Sequence, residues 1–321
     1  MGRYLLRRLA FALLLVFVVS SAALVLTRLA PGDFATQQCV DLSAAECDRL
    51  RDRLGLNQSP AAQYLSWMSG AIRFDFGESF LYSRPVGALV RERALNTAVL
   101  ATMALLAATL IGIPLGVYSG TSTGFGRAIV RVISVVGVSV PPLIGSLALV
   151  FLAARTGWFP VGGMSSAGGI DMTWAQWLAD LARHLPLPAL ALAIPMAATL
   201  ERLQSQAIEA ASRERFVAAS RARGVDRARS ILRHAWPVSL RPVLGLYGVM
   251  IGTLFSGSFV VEVVTTWPGL GRLMFDALKA RDLFLVAGCA ATGAFFLAAG
   301  TLIADLLLAY TDPRVRSGDR A

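Results

Sequence analysis

The chain alternates long uncharged runs with short stretches dense in arginine. Leu9 to Thr27 is the first run, nineteen residues without a charge. Ala94–Gly126, Val132–Ala154, Leu185–Leu200, Pro242–Val261 and Leu283–Ala304 are the others. Most are near or beyond the roughly 18 apolar residues that let a helix cross a bilayer. The pattern predicts an all-α integral membrane protein with six spans. Pro141 and Pro142 fall inside the third span, and Pro186, Pro188 and Pro195 inside the fourth. Such prolines are tolerated where neighbouring helices or waters satisfy the freed carbonyls. The first run follows a basic start, as a secretion signal would. It exceeds the ~7–15 residues of a signal core, so it reads as a retained span.

Charge placement orients the spans. Arg3, Arg7 and Arg8 precede the first; Arg127 and Arg131 separate the second from the third. A dense group from Arg202 to Arg241 separates the fourth from the fifth, and Arg314, Arg316 and Arg320 follow the sixth. With six spans all four groups fall on one side, which the positive-inside rule makes cytoplasmic, with both termini inside. The formal charge of +10 thus marks loops on the cytoplasmic face. No basic-aromatic surface module accompanies it, so nucleic acid is not an expected partner. The predicted layout is 1–93 as a first helix plus an extracytoplasmic segment, 94–309 as the membrane domain, and 310–321 as a cytoplasmic tail. Within the outer segments, "DRLRDRLGL" suggests a short helix and "MTWAQWLADLARHL" an amphipathic one, with tryptophans suited to the membrane interface.

Candidate chemistry is sparse. The sole lysine, Lys279, sits in "DALKARD", so the chain has no phosphate-binding G-x-x-x-x-G-K-[ST] loop. Work driven by ATP would need another polypeptide, and no cofactor or metal is expected here. "GTSTG" (Gly120 to Gly124) fits the G-x-S-x-G pattern formally, but it follows a membrane helix rather than a strand and reads as a small-residue turn. His184 and His234 fall on opposite sides of the predicted membrane and cannot share a metal. Cys39 and Cys47 lie eight apart in the first outer segment; they form either a small-loop disulfide or two free thiols. The spans hold essentially no ionisable residue, which argues against a proton-driven carrier.

"SRERFVAASRARGVDRARSILRHAWP", Ser212 to Pro237, is the most polar piece between two spans. Leu200 to Arg223 reads as helix, Gly224 as its left-handed end, and Asp226 as an acid near the start of the next helix. Such an element is either a solvated loop that fixes topology or a helix that seats in a partner's groove.

Spacing brings a resemblance into view. The stretch resembles the E-A-A-x-x-x-G-x9-I-x-L-P loop of ATP-binding-cassette (ABC) importer permeases. Ala219, Gly224 and Pro237 keep the family's residues at their spacing, whereas Ala218 stands in place of the glutamate and "HAWP" in place of I-x-L-P. "FVAASRARG" is similar to the corresponding run of the dipeptide, oligopeptide and nickel branch. So are the N-terminal "RYLLRRLAFALLLVF", the approach to span two ("FDFGESF", "SRPVGALVRERALNTAVL"), "VVEVVTTWPGLGRL" and "DLLLAYTDPRVR". The resemblance covers nearly the whole chain.

It implies a type I ABC importer permease of the bacterial cytoplasmic membrane, not itself an enzyme. The implied partners are a second, related permease, two ABC ATPase subunits and an extracytoplasmic substrate-binding protein. The loop at about 205–241 would carry a coupling helix for the ATPase. Phe216, Val217, Ala218, Ala219, Arg221, Arg223 and Gly224 would form the contact, and Pro237 would begin the rise to span five. Trp267, Pro268 and Gly269 are candidates for outer docking or gating, or for simple interfacial packing. Ser139, Thr253 and Ser256 are candidates for the pathway, or for helix contact. Peptides, nickel chelates and glutathione all fit as cargo. The rival readings are a stand-alone secondary carrier, a membrane hydrolase and a topology-only anchor.

Overall fold

The computed structural model describes residues 2–39, 43–166 and 172–311. Residues 312–321 of the expected tail, with Arg314, Arg316 and Arg320, lie outside the described residues. Four stretches are long and apolar enough to cross a membrane: Leu6–Thr36, Val86–Thr121, Arg227–Leu254 and Leu283–Ile303. Two bent helix pairs bring the number to six if each pair is one span. Packing divides the chain into two compact units. One gathers residues up to Ala98 together with Pro268–Ala299; the other gathers Val99–Trp267 and the residues from Gly300 onward.

In the first unit, α1 (Gly2–Leu29) is followed by three short helices, α2 (Phe34–Gln38), α3 (Ala44–Arg53) and α4 (Pro60–Ala71). Local signals start each one. Asp33 accepts the Thr36 backbone N–H ahead of α2, the Glu46 carboxylate accepts the Ser43 backbone N–H ahead of α3, and Ser59 accepts the Ala62 N–H ahead of α4. The Ser43 hydroxyl and N–H hold the Glu46 carboxyl below the ordinary carboxylate range. α1 is tied to the outer helices by Ser21 Oγ on Tyr64 Oη at 2.9 Å and by Arg28, which donates to the Leu56 carbonyl at 3.0 Å.

Strands β1 (Glu78–Ser79) and β2 (Arg84–Pro85) form one short antiparallel pair, Glu78 opposite Pro85. Asp282, wholly buried, accepts from Ser79 Oγ at 2.7 Å and from the Leu81 N–H at 3.0 Å. It also accepts from the Leu285 N–H, so one carboxylate both clamps the hairpin and caps α14 (Leu283–Thr311). α13 (Leu270–Ala280) completes this unit, where Val86, Leu89, Leu273, Leu285 and Val286 make the core.

The sulfurs of Cys39 and Cys47 are bonded, with their Cα atoms 5.4 Å apart, and Cys289 is buried. With this segment outside, as the arginine placement predicts, intact cells should label this chain with a membrane-impermeant maleimide only after reduction. Labelling without reduction would refute the bond, and absence of labelling after reduction would place this segment inside.

The second unit is built around α9 (Pro186–Ser212), which packs on α5 (Val86–Thr121), α6 (Phe125–Ser139), α7 (Pro142–Thr156) and α12 (Trp236–Val264). The third apolar window is not one helix. It divides at Val140-Pro141 into α6 and α7, bent 106° to each other. Pro141 and Pro142 cannot donate to the preceding turn, and each drives its predecessor out of the helical region; Val140 has ψ 111° and Pro141 ψ 147°. The fourth window is the core of α9, which turns 44° from the amphipathic α8 (Trp174–His184) at Pro186. α9 runs on past Glu201 and Arg202, beyond where its uncharged stretch ends.

Glycines 112, 116 and 120 fall four apart on α5 and are all buried against α9. A Cβ at Gly116 would lie 2.6 Å from the Gln204 Cβ and 2.8 Å from the Glu201 carbonyl oxygen. The two backbones touch along this line, as small residues permit between membrane helices.

Candidate functional site

α9 delivers the polar stretch to one end of the second unit. It ends at Ser212, and the Arg213 and Glu214 N–H groups fold back on the Ala210 and Ala211 carbonyls. The single helix expected over Leu200 to Arg223 is thus two. Glu214 is extended (ψ 148°) and starts α10 (Arg215–Ala222). After α10, Gly224 takes φ +84°. Its N–H reaches the Arg221 carbonyl at 2.9 Å and the Val225 N–H reaches Ser220 at 3.3 Å. Those two bonds are the Schellman arrangement, which needs a left-handed residue at this point. Asp226 then accepts the Ala228 N–H at 3.0 Å and starts α11 (Arg227–Ser230). A π-helical turn, Ile231–Ala235, leads into α12, where Pro237 falls in the first turn. A first turn has no use for the N–H that proline lacks.

The elbow has an inner and an outer face. Val217, 3% exposed, packs with Ile208 and Ala211 of α9, Ala235 and Ile231. Ser220 and Ser230, both buried, join α10 to α11 at 3.2 Å between hydroxyls. Phe216, Ala218, Ala219, Arg221, Arg223 and Gly224 face outward. Val217, grouped with the contact residues on sequence, is therefore the anchor of that face and not part of it. Val217 is held between α9 and the π-helical turn that leads into α12, so α10 is fastened to both.

Next to the elbow lies a buried polar layer that the sequence did not reveal. Glu201, 1% exposed, accepts from Ser119 Oγ of α5. Gln204 donates to Ser239 Oγ of α12 at 2.8 Å, and Ser239 donates to the Trp236 carbonyl. Glu201 ended the uncharged window and so read as a boundary residue. Its helical spacing to Ser205, four residues on, and Ile208, seven residues on, is the signal that it belongs to the inward face. The layer links α5, α9 and α12 through directional bonds in a low-dielectric setting, where they weigh more than at a surface.

The remaining sequence candidates separate. Trp267 is fully enclosed in the core of the second unit, so its ring is not a docking surface. Thr266 before it has φ +50°. In the other unit, the Pro268 carbonyl accepts from Asn96 Nδ2 at 2.7 Å, and the Leu270 N–H donates to Thr97 Oγ1 at 2.8 Å. Gly269 is buried as well. Thr253 lines a largely apolar cavity of about 220 Å³ with Pro142, Pro195, Met196, Thr199 and Met250. Ser139 is exposed at the end of α6 and bonds back to Val135. The side chain of Ser256 lies outside the described set. The α6–α7 bend places Pro142 in the cavity wall, so the broken window and the cavity are one feature.

Apolar spans, an arginine-rich elbow capped by a left-handed glycine, and an apolar cavity lined by two threonines are the features of a multi-pass membrane protein. The chain belongs to the family described as binding-protein-dependent transport system inner membrane component, whose sequence model matches residues 112–317. The companion N-terminal family of such membrane components matches residues 1–101. It is a multi-pass component of the inner membrane. Oligopeptide transport system permease protein AppB of Bacillus subtilis is 30% identical over 322 residues, covering 98% of this chain and 99% of that protein. The probable peptide ABC transporter permease protein y4tP of Sinorhizobium fredii is 30% identical over 326 residues, covering 98% and 100%.

Proposed function

We propose that the chain forms half of the pathway of an ATP-driven peptide importer, together with a second, related permease. Each bent helix pair counts as one span in this reading, giving six spans with both termini in the cytoplasm, as the arginine placement requires. Two ABC ATPases hydrolyse the nucleotide, an extracytoplasmic binding protein delivers the peptide, and this chain performs no chemistry. Peptides are preferred over nickel chelates because both relatives named above carry peptide transport in their names.

The observation that carries the proposal is the two-faced elbow. Phe216, Ala218 and Ala219 form a small exposed apolar patch ringed by Arg215, Arg221 and Arg223, while Val217 fastens it from behind. That is the form of a helix that seats in a complementary groove. Closure of the ATPases would push α10, and α9 and α12 would tilt with it as rigid elements. Trp267, Pro268 and Gly269 then serve outer gating through buried contacts, and the cavity beside Thr253 is a wall of the peptide path.

Cysteine placement tests the reading, since the native thiols are bonded or buried. Ala219→Cys should cross-link to a co-expressed ATPase subunit, and Val217→Cys, facing inward, should not. Equal cross-linking at both positions, or none at either, would overturn the docking assignment. The alternative, a stand-alone secondary carrier, requires peptide uptake by proteoliposomes that contain this chain without any ATPase. The importer reading requires none.

A further inference from the structure

Between the α5–α6 turn and the elbow lies a second cavity, about 230 Å³, whose lining mixes apolar side chains with charged and hydroxyl ones. Thr121, Ser122 and Thr123 form one wall, and Arg127, Arg221 and Arg227 reach it from α6, α10 and α11. Glu209 and Arg213 complete the lining at its α9 side. The lining thus holds four guanidiniums and one carboxylate. Glu209 is engaged by Arg127 at 2.8 Å, by Arg213 at 2.7 Å and by Arg131 at 3.6 Å. Arg227 donates only to the Thr121 carbonyl, at 3.1 Å, and Arg221 has no ion pair among the described residues. Arg127 Nε is buried with no acceptor at all. A buried donor without an acceptor is costly, and a cluster of like charges around a cavity repels itself unless an anion joins it.

We propose that this cavity binds a phosphate-bearing anion. Converging guanidiniums with adjacent hydroxyl donors suit an oxyanion that presents several oxygens at once. A ready source is the headgroup of an anionic lipid. The cavity opens where α5 ends, at the level expected for headgroups, and basic pockets between membrane helices on the cytoplasmic side take such groups. From its rim α6 runs on with Phe125, Ile129, Val132 and Ile133 exposed, an apolar strip along which acyl chains can lie. A soluble phosphate is the other source of the same chemistry. The "GTSTG" turn thereby gains a role: the Ser122 and Thr123 hydroxyls are donors, while that of Thr121 is engaged by the Val117 carbonyl, and Gly124 turns the chain at φ +91°. The site stands without the importer reading, because its test uses binding alone.

Native mass spectrometry of the purified full chain decides it, with equal dioleoyl phosphatidylglycerol and dioleoyl phosphatidylcholine offered together. Phosphatidylglycerol adducts should dominate. Arg227→Gln, an exposed position, should cut that preference about fivefold or more. Arg229→Gln, the same charge change one helix position outside the cavity lining, should leave it intact. Arg127→Gln should act like Arg227→Gln, and the latter keeps the test valid if the former fails to fold. If no lipid preference appears but inorganic phosphate raises the melting temperature of the wild type and not of Arg227→Gln, the site stands and its ligand is soluble. Neither effect, or equal losses in Arg227→Gln and Arg229→Gln, would overturn the proposal.

Discussion

Gly116→Leu should leave little folded permease in the membrane. The added side chain would start 2.6 Å from the Gln204 Cβ and 2.8 Å from a carbonyl oxygen of α9. Backbone cannot rotate away as a long side chain can, so α5 and α9 must separate. Separation also breaks the Ser119–Glu201 bond in the next turn and leaves a buried carboxylate without its donor. Overpacking alone costs roughly 1–3 kcal/mol, and the polar loss adds to it. A total of about 3 kcal/mol or more is therefore expected, a large part of the stability of an ordinary domain. Gly245→Ala is the control. No atom lies within 4 Å of a Cβ there, so this variant should accumulate normally. Quantifying detergent-extracted protein by fluorescence-detected size exclusion compares the two, and normal accumulation of Gly116→Leu would refute the close α5–α9 contact.

Gly224→Val should spare the fold and cut transport about tenfold or more. Nothing lies within 4 Å of a Cβ at Gly224, so the cost is not a clash with neighbours. It is the left-handed backbone, φ +84°, which costs an L-residue roughly 1–2 kcal/mol, with β-branched residues among the least tolerant. About 1.4 kcal/mol is a tenfold loss of the correctly bent elbow. The α10 end would unwind, and the two bonds that close it, to Arg221 and Ser220, would be lost. Peptide uptake and binding-protein-stimulated ATP hydrolysis in the assembled transporter should both fall about tenfold or more, with unchanged expression. Gly224→Asn should retain more of both, since asparagine visits this conformation more readily. Wild-type uptake by Gly224→Val would sink the assigned bend.

These two glycines show how unevenly the molecule can be read from its letters. Gly224 is legible because its requirement is local: a helix must stop and the chain must turn within a few residues. The Asp226 start of the next helix was legible for the same reason. Gly116 is not legible, since its partner surface lies some ninety residues away and the four-residue glycine spacing has many uses. The α6–α7 break had a local signal in Val140-Pro141-Pro142. An uncharged window hides it, because hydropathy measures burial in lipid and is blind to backbone direction. Val217 shows the same limit at one residue: the sequence groups it with its neighbours, and only packing between α9 and the π-helical turn makes it an inward residue.

What the sequence by itself determined are the apolar stretches, the turn at Gly224 and the helix start at Asp226. Each depends on contacts within a few residues, or on the solvent a segment must face. Only the tertiary structure decided that Glu201 is interior, that Trp267 is enclosed, that the third window bends by 106°, and that four arginines surround one cavity. Those outcomes depend on which distant backbones come into contact, and packing selects that through shape, to which hydropathy and spacing are insensitive.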